Sequence, residues 1–305
     1  MSGLKTLLRR FWAWFLWSFL ERAPFIRNCL LAALGRVQVI FLDYPVRPRP
    51  RYGHGQPPHP HLSALLDRGR ESFREQARQF AGYAGSLKRI PRLAPAGEPT
   101  SPHWQNGWLP GLDAAAIYGL LASLRPARFL EIGSGNSTKF ARRAVKDHHL
   151  ATRIVSIDPH PRGEIDVLCD RVLRQPVEDV DLGIFDELEP GDILFVDNSH
   201  RSFMNSDVSV VFLDILPRLR SGVIVGFHDI FLPHDYPASW GPRYYSEQYL
   251  LATLLLADGP RYAVLFPAYY VSQDAELAQV MAPLWAEPEL TGVETYGTSF
   301  WLRVA

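Results

Sequence analysis

Cysteine is scarce and net charge is absent in this sequence of 305 residues. It contains two cysteines, Cys29 and Cys169, and its 32 basic side chains balance 32 acidic ones. Two cysteines cannot form a disulfide framework, so we expect a reducing, cytoplasmic compartment. A chain without net charge creates no overall field that would attract nucleic acid. With 47% hydrophobic and 21% charged residues, the composition is that of a folded globular protein.

A hydrophobic run long enough to cross a membrane is also missing. The run FWAWFLWSFL at residues 11–20 is shorter than the roughly 20 residues that a bilayer requires, and no small-residue cleavage site follows it as in a signal peptide. Residues 1–42 nevertheless contain six basic side chains and one acidic side chain. Basic residues next to tryptophans suit a helix in the interface of a membrane, on its inner face, as a peripheral contact. They equally suit a helix docked on the rest of the protein or on a second copy in a homo-oligomer, and both interpretations stay open.

The next segment is rich in proline, arginine and histidine. YPVRPRPRYGHGQPPHPHL at residues 44–62 has too many prolines for a helix or a ladder, which predicts an extended arm over the surface. Its histidines have no cysteine or carboxylate nearby, which argues against a metal site there. Residues 63–88 have apolar side chains at helical spacing. The chain therefore divides into basic aromatic helices at 1–43, an arm plus a helix at 44–104, and a regular domain at 105–305.

From about residue 111 the apolar segments alternate between helical and strand patterns. Helices are predicted at residues 112–124, 136–148, 206–219 and 246–257. Strands are predicted at residues 127–133, 152–159, 170–176, 191–200, 221–230, 262–267 and 298–304. Short apolar strands that alternate with helices indicate an α/β fold, in which helices cover both faces of a mostly parallel sheet.

A glycine turn follows the first of these strands, in the stretch ARFLEIGSGNST. Ligands of such sheets bind at the carboxyl ends of the strands. Gly133 and Gly135 allow a tight turn and a close approach of the backbone to a ligand, and the helix that follows offers free amides. Thr138 stands where the dinucleotide fingerprint requires a third glycine. Asp158 ends the second strand, where an acid can bind both hydroxyls of a ribose, and Asp197 ends the fourth.

Four motifs in order, EIGSGNST, SIDPHP, ILFVDNSH and GVIVGFHDIFLP, resemble those of class I S-adenosylmethionine-dependent methyltransferases. The resemblance covers about residues 105–305. It implies a Rossmann-like sheet of seven strands in the order 3-2-1-4-5-7-6, with residues 1–43 as a helical N-terminal extension. It also implies methyltransferase activity with S-adenosylmethionine as the cofactor.

The resemblance assigns cofactor-binding positions. They are Glu131, Gly133, Ser134, Gly135, Asn136, Ser137, Asp158, Pro159, Pro176, Val177, Asp197 and Asn198. Among them, Glu131 is expected to fix the loop or the amino group of the cofactor, and Asp158 to accept hydrogen bonds from the ribose. Pro176 and Val177 are expected to flank the adenine.

The segments DNSH and HD, after the fourth and fifth strands, are similar to the metal-binding motifs of catechol-type and macrolide-sugar O-methyltransferases. The similarity implies Asp197, His228 and Asp229 as ligands of a divalent cation such as magnesium, manganese or iron. His200 falls where the catechol enzymes keep a catalytic lysine, and it is expected to act as a general base. His228 replaces a carboxylate of that pattern, so it is either a ligand of a metal other than magnesium or a second general base. Without a metal, His228 and Asp229 would serve only to cap a loop.

The function that these motifs predict is metal-assisted O-methylation of a small molecule or a glycan. Two alternatives remain at this stage. One is an iron-dependent hydroxylase of the same fold, and the other is a membrane-associated scaffold that binds the cofactor without turnover. No nucleic-acid partner is expected, because residues 105–305 have neither a basic face nor the asparagine-proline-proline-aromatic motif of base methylases.

Overall fold

The computed structural model describes residues 24–35, 38–40, 42–257, 259 and 261–305. The chain divides into two compact units, Met1–Arg47 and Pro48–Ala305. The first unit contains helix α1 (Pro24–Ala33). The predicted aromatic helix at residues 11–20 lies outside the described residues, so its docking and membrane interpretations stay predictions. Within the described ranges, no helix has both the length and the hydropathy to cross a membrane.

The second unit is built on one seven-stranded sheet. Its strands are β1 (Arg128–Ile132), β2 (Arg153–Ile157), β3 (Arg171–Leu173), β4 (Ile193–Val196), β5 (Ile224–Phe227), β6 (Tyr262–Pro267) and β7 (Phe300–Val304). They lie in the order β3-β2-β1-β4-β5-β7-β6. Strands β1 to β5 are parallel, and β7 is antiparallel to both β5 and β6. This order confirms the predicted Rossmann-like fold.

Helices surround the sheet. They are α2 (Pro60–Asp67), α3 (Arg70–Ala81), α4 (Ala84–Leu87), α5 (Gly111–Leu124), α6 (Asn136–Asp147), α7 (Gly183–Asp186), α8 (Asp207–Val210), α9 (Glu247–Leu256), α10 (Ala268–Gln273) and α11 (Ala275–Trp285). A π-helical turn at Val211–Ile215 follows α8, and 3-10 turns occur at Asp166–Leu168, Val177–Asp179, Leu216–Arg218, Ala238–Arg243 and Pro288–Leu290. Helix α5 is buried from residue 111 to residue 122, which explains its nearly uniform apolar sequence.

Two predicted helices differ from the structure. The single helix expected at residues 63–88 is divided into α2, α3 and α4, with breaks at Gly69 and Gly82. The helix expected at residues 206–219 is one α-helical turn followed by π and 3-10 turns. Pro217 lies in the last of these turns, and a proline there cannot donate the backbone hydrogen bond that a continuous α-helix needs.

The centre of the sheet is held by aromatic side chains that reach across strands. Phe195 on β4 stacks on Trp301 of β7, with ring centroids 5.3 Å apart. Gly226 on β5 lies between them in register. A Cβ atom at Gly226 would lie 2.5 Å from the Trp301 ring, so only glycine leaves room for this stack. The packing fixes the ends of β4 and β5, from which the polar side chains of the site extend.

The proline-rich arm, described here from residue 48 onward, is tied to the loop that follows β5. The backbone amides of Arg51 and Tyr52 donate to Oδ2 of Asp235 over 2.6 and 2.9 Å. His59 donates its amide to the carbonyl oxygen of Pro233, and its ring accepts from Leu62 at the start of α2. The arm has no helix or strand before α2 and belongs to the same compact unit as the sheet.

Candidate active site

A cavity of about 510 Å³ opens at the carboxyl ends of β1, β2, β4 and β5. This is the edge where open parallel sheets bind their ligands. One end of the cavity is bordered by the glycine turn and Asp158, and the other by the polar side chains that follow β4 and β5. The cavity therefore joins the predicted cofactor site to the predicted site of chemistry.

The glycine turn requires glycine at one position. Gly133 has φ of 77°, a conformation that other residues rarely adopt. A Cβ atom there would lie 1.8 Å from the carbonyl oxygen of Asp197. The turn is held to β2 by two hydrogen bonds. Gly133 donates its amide to Ile157 over 2.9 Å, and Ser134 donates its amide to Oδ2 of Asp158 over 2.8 Å.

Glu131 supports the turn from beneath. It is fully buried and accepts hydrogen bonds from Ser137 over 2.9 Å and from Thr138. Thr138 in turn accepts the amide of Gly135 over 3.0 Å. Burial raises the pKa of Glu131 to about 8, against the opposing effect of the two hydroxyl donors. Of the two roles expected for Glu131, the geometry matches fixing of the loop.

The predicted cofactor residues fall into two groups. Those that line the cavity are Gly133, Ser134, Asp158, Pro159, Pro176, Val177, Asp197 and Asn198. Glu131, Gly135, Asn136 and Ser137 do not line it, which corrects the expectation that they border the ligand. The reason is that α6 begins at Asn136 and turns these residues away. Asn136 donates to Asn106, and Ser137 donates to Glu131.

The structure brings four predicted side chains together at the other end of the cavity: Asp197, His200, His228 and Asp229. We call these the four-residue cluster. Nε2 of His200 lies 3.4 Å from Oδ1 of Asp197 and 3.4 Å from Oδ2 of Asp229. Nδ1 of His228 lies 3.3 Å from Oδ1 of Asp197 and 3.5 Å from Oδ1 of Asp229. Each imidazole thus faces both carboxylates.

Two further carboxylates hold the outer nitrogens of these imidazoles. Oε2 of Glu247 lies 2.8 Å from Nδ1 of His200. Oδ2 of Asp113 lies 3.3 Å from Nε2 of His228. Both carboxylates are fully buried. Asn198 donates to Glu247 over 3.1 Å, and backbone amides near the start of β7 donate to Asp113.

Sequence reasoning missed these two carboxylates. Asp113 and Glu247 each stand within the first turn of a helix whose remaining side chains are mostly apolar, in GLDAAAIYGLLASL and EQYLLATLLL. An isolated acid at the start of such a helix is the signal that was available. It is a weak signal, because acids near a helix N-terminus are common for electrostatic reasons alone.

The charges of the cluster are strongly coupled. Burial alone would lower the pKa of His200, but Asp197 and Glu247 outweigh it and raise that pKa to about 10. Burial also opposes the charged form of His228, yet the neighbouring aspartates raise its pKa well above the usual value. The charge of His228 keeps the pKa of Asp197 below its ordinary range despite burial. Asp197 still exposes 36% of its side chain at the cavity.

Two members of the cluster have strained backbones. His200 has φ of 60° and Asp229 has φ of 57°, in the left-handed region that few side chains occupy. Each such residue costs on the order of 1–3 kcal/mol, and residues of this kind concentrate at functional sites. Strain at both loops suggests that the fold maintains this arrangement for a purpose.

Aromatic side chains form the wall beside the cluster. The ring of Tyr245 lies 4.7 Å from that of His200, between centroids. Trp240 packs against Tyr245 at 5.6 Å, and the guanidinium of Arg243 lies 3.9 Å from the centroid of Trp240. Trp240, Arg243 and Tyr245 all line the cavity. Tyr249 is turned away and donates its hydroxyl to Asp235.

A search for metal centres among the described residues finds no group of three or more His, Cys, Asp or Glu side chains that meets the criteria of a metal site. Neither the predicted metal ligands nor the predicted general base is tested by this result, because the structure contains no ions or ligands. These roles therefore stay predictions.

With the geometry established, the relationship to known proteins can be stated. Residues 130–230, which run from β1 to the loop after β5, match a methyltransferase domain family. Together with the strand order, this match confirms the predicted resemblance: the chain carries a class I methyltransferase domain.

One curated relative is an uncharacterized protein of Archaeoglobus fulgidus, 37% identical over 90 residues. The match covers 28% of this chain and 41% of that protein, so the chain spans about two fifths of the relative's length.

Solved structures show more distant similarity. The methyltransferase PaMTH1 of Podospora anserina, bound to SAH, is 16% identical, with 63% of this chain and 77% of that chain covered and a TM-score of 0.37. The O-methyltransferase TomG of Streptomyces achromogenes, bound to SAM, is 15% identical, with 81% and 98% covered and a TM-score of 0.35. Similarity at this level assigns neither a substrate nor a metal to this chain.

Proposed function

We propose that this protein transfers the methyl group of S-adenosylmethionine to a hydroxyl group of a small-molecule or glycan acceptor. The observation that carries the proposal is the single cavity that joins the glycine turn to the four-residue cluster. Its volume of about 510 Å³ lies within the range of ordinary ligand sites.

The residues at the first end of the cavity fit a nucleoside cofactor. The turn at Gly133 has no side chain, so the backbone can approach the ligand closely. Asp158 is partly exposed at the cavity wall, and its two oxygens already accept the amides of Ser134 and His160. Each carboxylate oxygen has a second lone pair, which leaves acceptor capacity for the two ribose hydroxyls.

The other end of the cavity fits an acceptor. The rings of Trp240 and Tyr245 offer flat faces on which an aromatic or sugar ring can stack. The cluster next to them consists of carboxylates and imidazoles, groups that can take a proton from a hydroxyl. Among its members Asp197 is the most exposed to the cavity, and His200 lies directly against the Tyr245 wall.

The proposed reaction is a direct displacement. The acceptor oxygen attacks the sulfonium methyl group, the C–S bond breaks, and the hydroxyl proton passes to the cluster. Alignment of the two reactants between the glycine turn and the cluster supplies a large part of the acceleration. When bound by Asp197, His228 and Asp229, a divalent cation would lower the pKa of the acceptor hydroxyl. No covalent enzyme intermediate is required.

The cofactor role is tested by calorimetry with S-adenosylmethionine and its product S-adenosylhomocysteine. We expect the wild-type protein to bind both. Asp158→Ala should weaken binding at least tenfold, because it removes the ribose acceptor and one anchor of the glycine turn. Glu164→Ala, an exposed acid six residues further along the same loop, is the matched control and should bind as the wild type does. Absence of binding to the wild type would refute the proposal, and unchanged affinity in Asp158→Ala would refute the ribose role.

A further inference from the structure

The contacts inside the four-residue cluster are too long to be hydrogen bonds. The four nitrogen–oxygen distances are 3.3, 3.4, 3.4 and 3.5 Å, whereas N–H···O hydrogen bonds measure about 2.7–3.2 Å. The contact between His200 and Glu247 provides an internal comparison. At 2.8 Å it has the length of a charge-assisted hydrogen bond. The same imidazole is thus hydrogen-bonded on its outer side and separated from both aspartates on its inner side.

The longer distances are those expected between ligands of one metal ion. Nitrogen and oxygen ligands of zinc and similar ions lie at about 2.0–2.2 Å, and tetrahedral ligands at about 2.1 Å lie about 3.4 Å from one another. All four recorded distances fall within 0.1 Å of that value. We infer that the four-residue cluster binds a divalent transition-metal ion, such as zinc, manganese or iron(II), with His200 as a ligand instead of a free general base.

The outer carboxylates orient both imidazoles for this role. Glu247 takes the proton at Nδ1 of His200, which leaves the lone pair of Nε2 directed at the aspartates. Asp113 faces Nε2 of His228, which leaves Nδ1 directed at the same aspartates. Histidine ligands of metals characteristically bind a carboxylate or carbonyl through their second nitrogen. Here the fold supplies such a partner to each imidazole, on a different helix.

The chemistry of the donors selects the metal. Two imidazole nitrogens and two carboxylates suit zinc, manganese, iron or cobalt, while magnesium prefers ligands that are all oxygen. A divalent ion with two neutral imidazoles also carries the same charge as two protonated imidazoles without an ion. The ion-pair cluster without metal is therefore the competing explanation, and the experiment must separate the two.

The experiment uses cobalt(II) as a probe and reads its visible absorption, which is intense in four-coordinate sites and weak in water. Untagged full-length protein is freed of metal with a chelator, then titrated with cobalt(II) and separately with magnesium. We expect saturable absorption at one equivalent of cobalt and a rise in the thermal unfolding midpoint. Magnesium at the same concentration should give no such rise.

Variants locate the site. His200→Gln and His228→Gln should each weaken cobalt binding more than about tenfold, because a ligand loss exceeds the 10–100-fold effect of losing an outer partner only at its lower end. His61→Ala removes an exposed histidine in α2 and should bind cobalt as the wild type does. Asp197→Asn provides a variant at a partly exposed position, in case a histidine variant does not fold, and should also lose the absorption.

Each result is decisive. If the metal-free wild type takes up no cobalt, or if both glutamine variants absorb as the wild type does, the inference is wrong and the ion-pair explanation holds. Equal stabilisation by magnesium would also overturn the choice of metal. The inference rests on the proposed function for the purpose of the metal, and S-adenosylhomocysteine calorimetry on the same samples separates the two. Cofactor binding without cobalt binding contradicts only the metal site, whereas cobalt binding without cofactor binding contradicts only methyl transfer.

Discussion

The carboxylate of Glu247 lies 2.8 Å from Nδ1 of His200, and both side chains are buried. The backbone adds to this contact, because the amides of Ser246 and Glu247 both donate to the carbonyl oxygen of His200. The first residues of α9 are thereby fastened to the loop after β4. A helix that is remote in sequence thus fixes the position and the tautomer of a side chain at the centre of the site.

Replacing Glu247 should therefore weaken metal binding without removing a ligand. In Glu247→Gln the amide can present only one oxygen, and its NH2 group competes for the Asn198 and His200 contacts. We expect cobalt affinity to fall about 10–100-fold, measured by the same absorption titration. Glu276→Gln is the matched control, since Glu276 is an exposed acid in the first turn of α11. Equal affinities in Glu247→Gln and the wild type would show that Glu247 does not position the ligand.

The buried carboxyl of Glu131 predicts a pH dependence of stability. Its folded-state pKa is about 8, above the ordinary value of 4.5. The unfolded chain releases this proton from about pH 4.5 upward, while the folded protein keeps it until about pH 8. Unfolding then favours deprotonation, so the free energy of unfolding falls between these two pH values and levels off above pH 8.

Glu131→Gln removes this contribution. Urea unfolding at pH 5 and at pH 8.5 should show the wild type losing roughly 3–5 kcal/mol more than the variant. All other titrating groups are shared, so the difference between the two proteins isolates Glu131. Glu98→Gln, which changes an exposed acid, should follow the wild type. Parallel pH profiles for wild type and Glu131→Gln would contradict a buried, protonated carboxyl.

The four-residue cluster could be predicted because its members follow β4 and β5 directly. The carboxyl ends of adjacent parallel strands meet at one edge, so short motifs after each strand converge whatever the loops between them do. Asp113 and Glu247 could not be found in this way. They reach the same place from the first turns of α5 and α9, and that depends on how the helices pack.

The elements show the same division. The apolar strands of the sheet were recognisable from their sequence, since strands buried on both faces form short continuous apolar runs. The break in the helix predicted at residues 206–219 depends on how Pro217 and the π-helical turn are accommodated against the sheet, which periodicity does not report. Likewise, Glu131 was identified as important, but only the packing shows that it lies beneath the turn and not in the cavity.

Gly133→Ala should disrupt the glycine turn. The new methyl group would lie 1.8 Å from the carbonyl oxygen of Asp197, in a backbone conformation with φ of 77°. We expect a fall in the thermal unfolding midpoint and loss of measurable S-adenosylhomocysteine binding. Gly135→Ala is the matched control for stability, because nothing lies within 4 Å of the Cβ atom that it would add. Similar unfolding midpoints in the two variants would contradict the close packing at Gly133.

Gly226→Ala tests the stack that holds the central strands together. Its methyl group would lie 2.5 Å from the Trp301 ring, and the sheet around both residues is fully buried. Overpacking of this kind costs about 1–3 kcal/mol, measured by urea unfolding. Trp301→Leu removes the clashing ring but leaves a cavity, at a cost of about 3–5 kcal/mol by analogy with other large-to-small changes in cores.

The double variant distinguishes this clash from a general loss of sheet stability. In Gly226→Ala/Trp301→Leu the added methyl group occupies part of the space that the tryptophan vacates, so the double variant should be more stable than the sum of the two single changes predicts. Contacting residues show coupling energies of about 0.5–3 kcal/mol in such cycles. Strict additivity would mean that Gly226 is not required by Trp301, and that the stack on Phe195 does not depend on it.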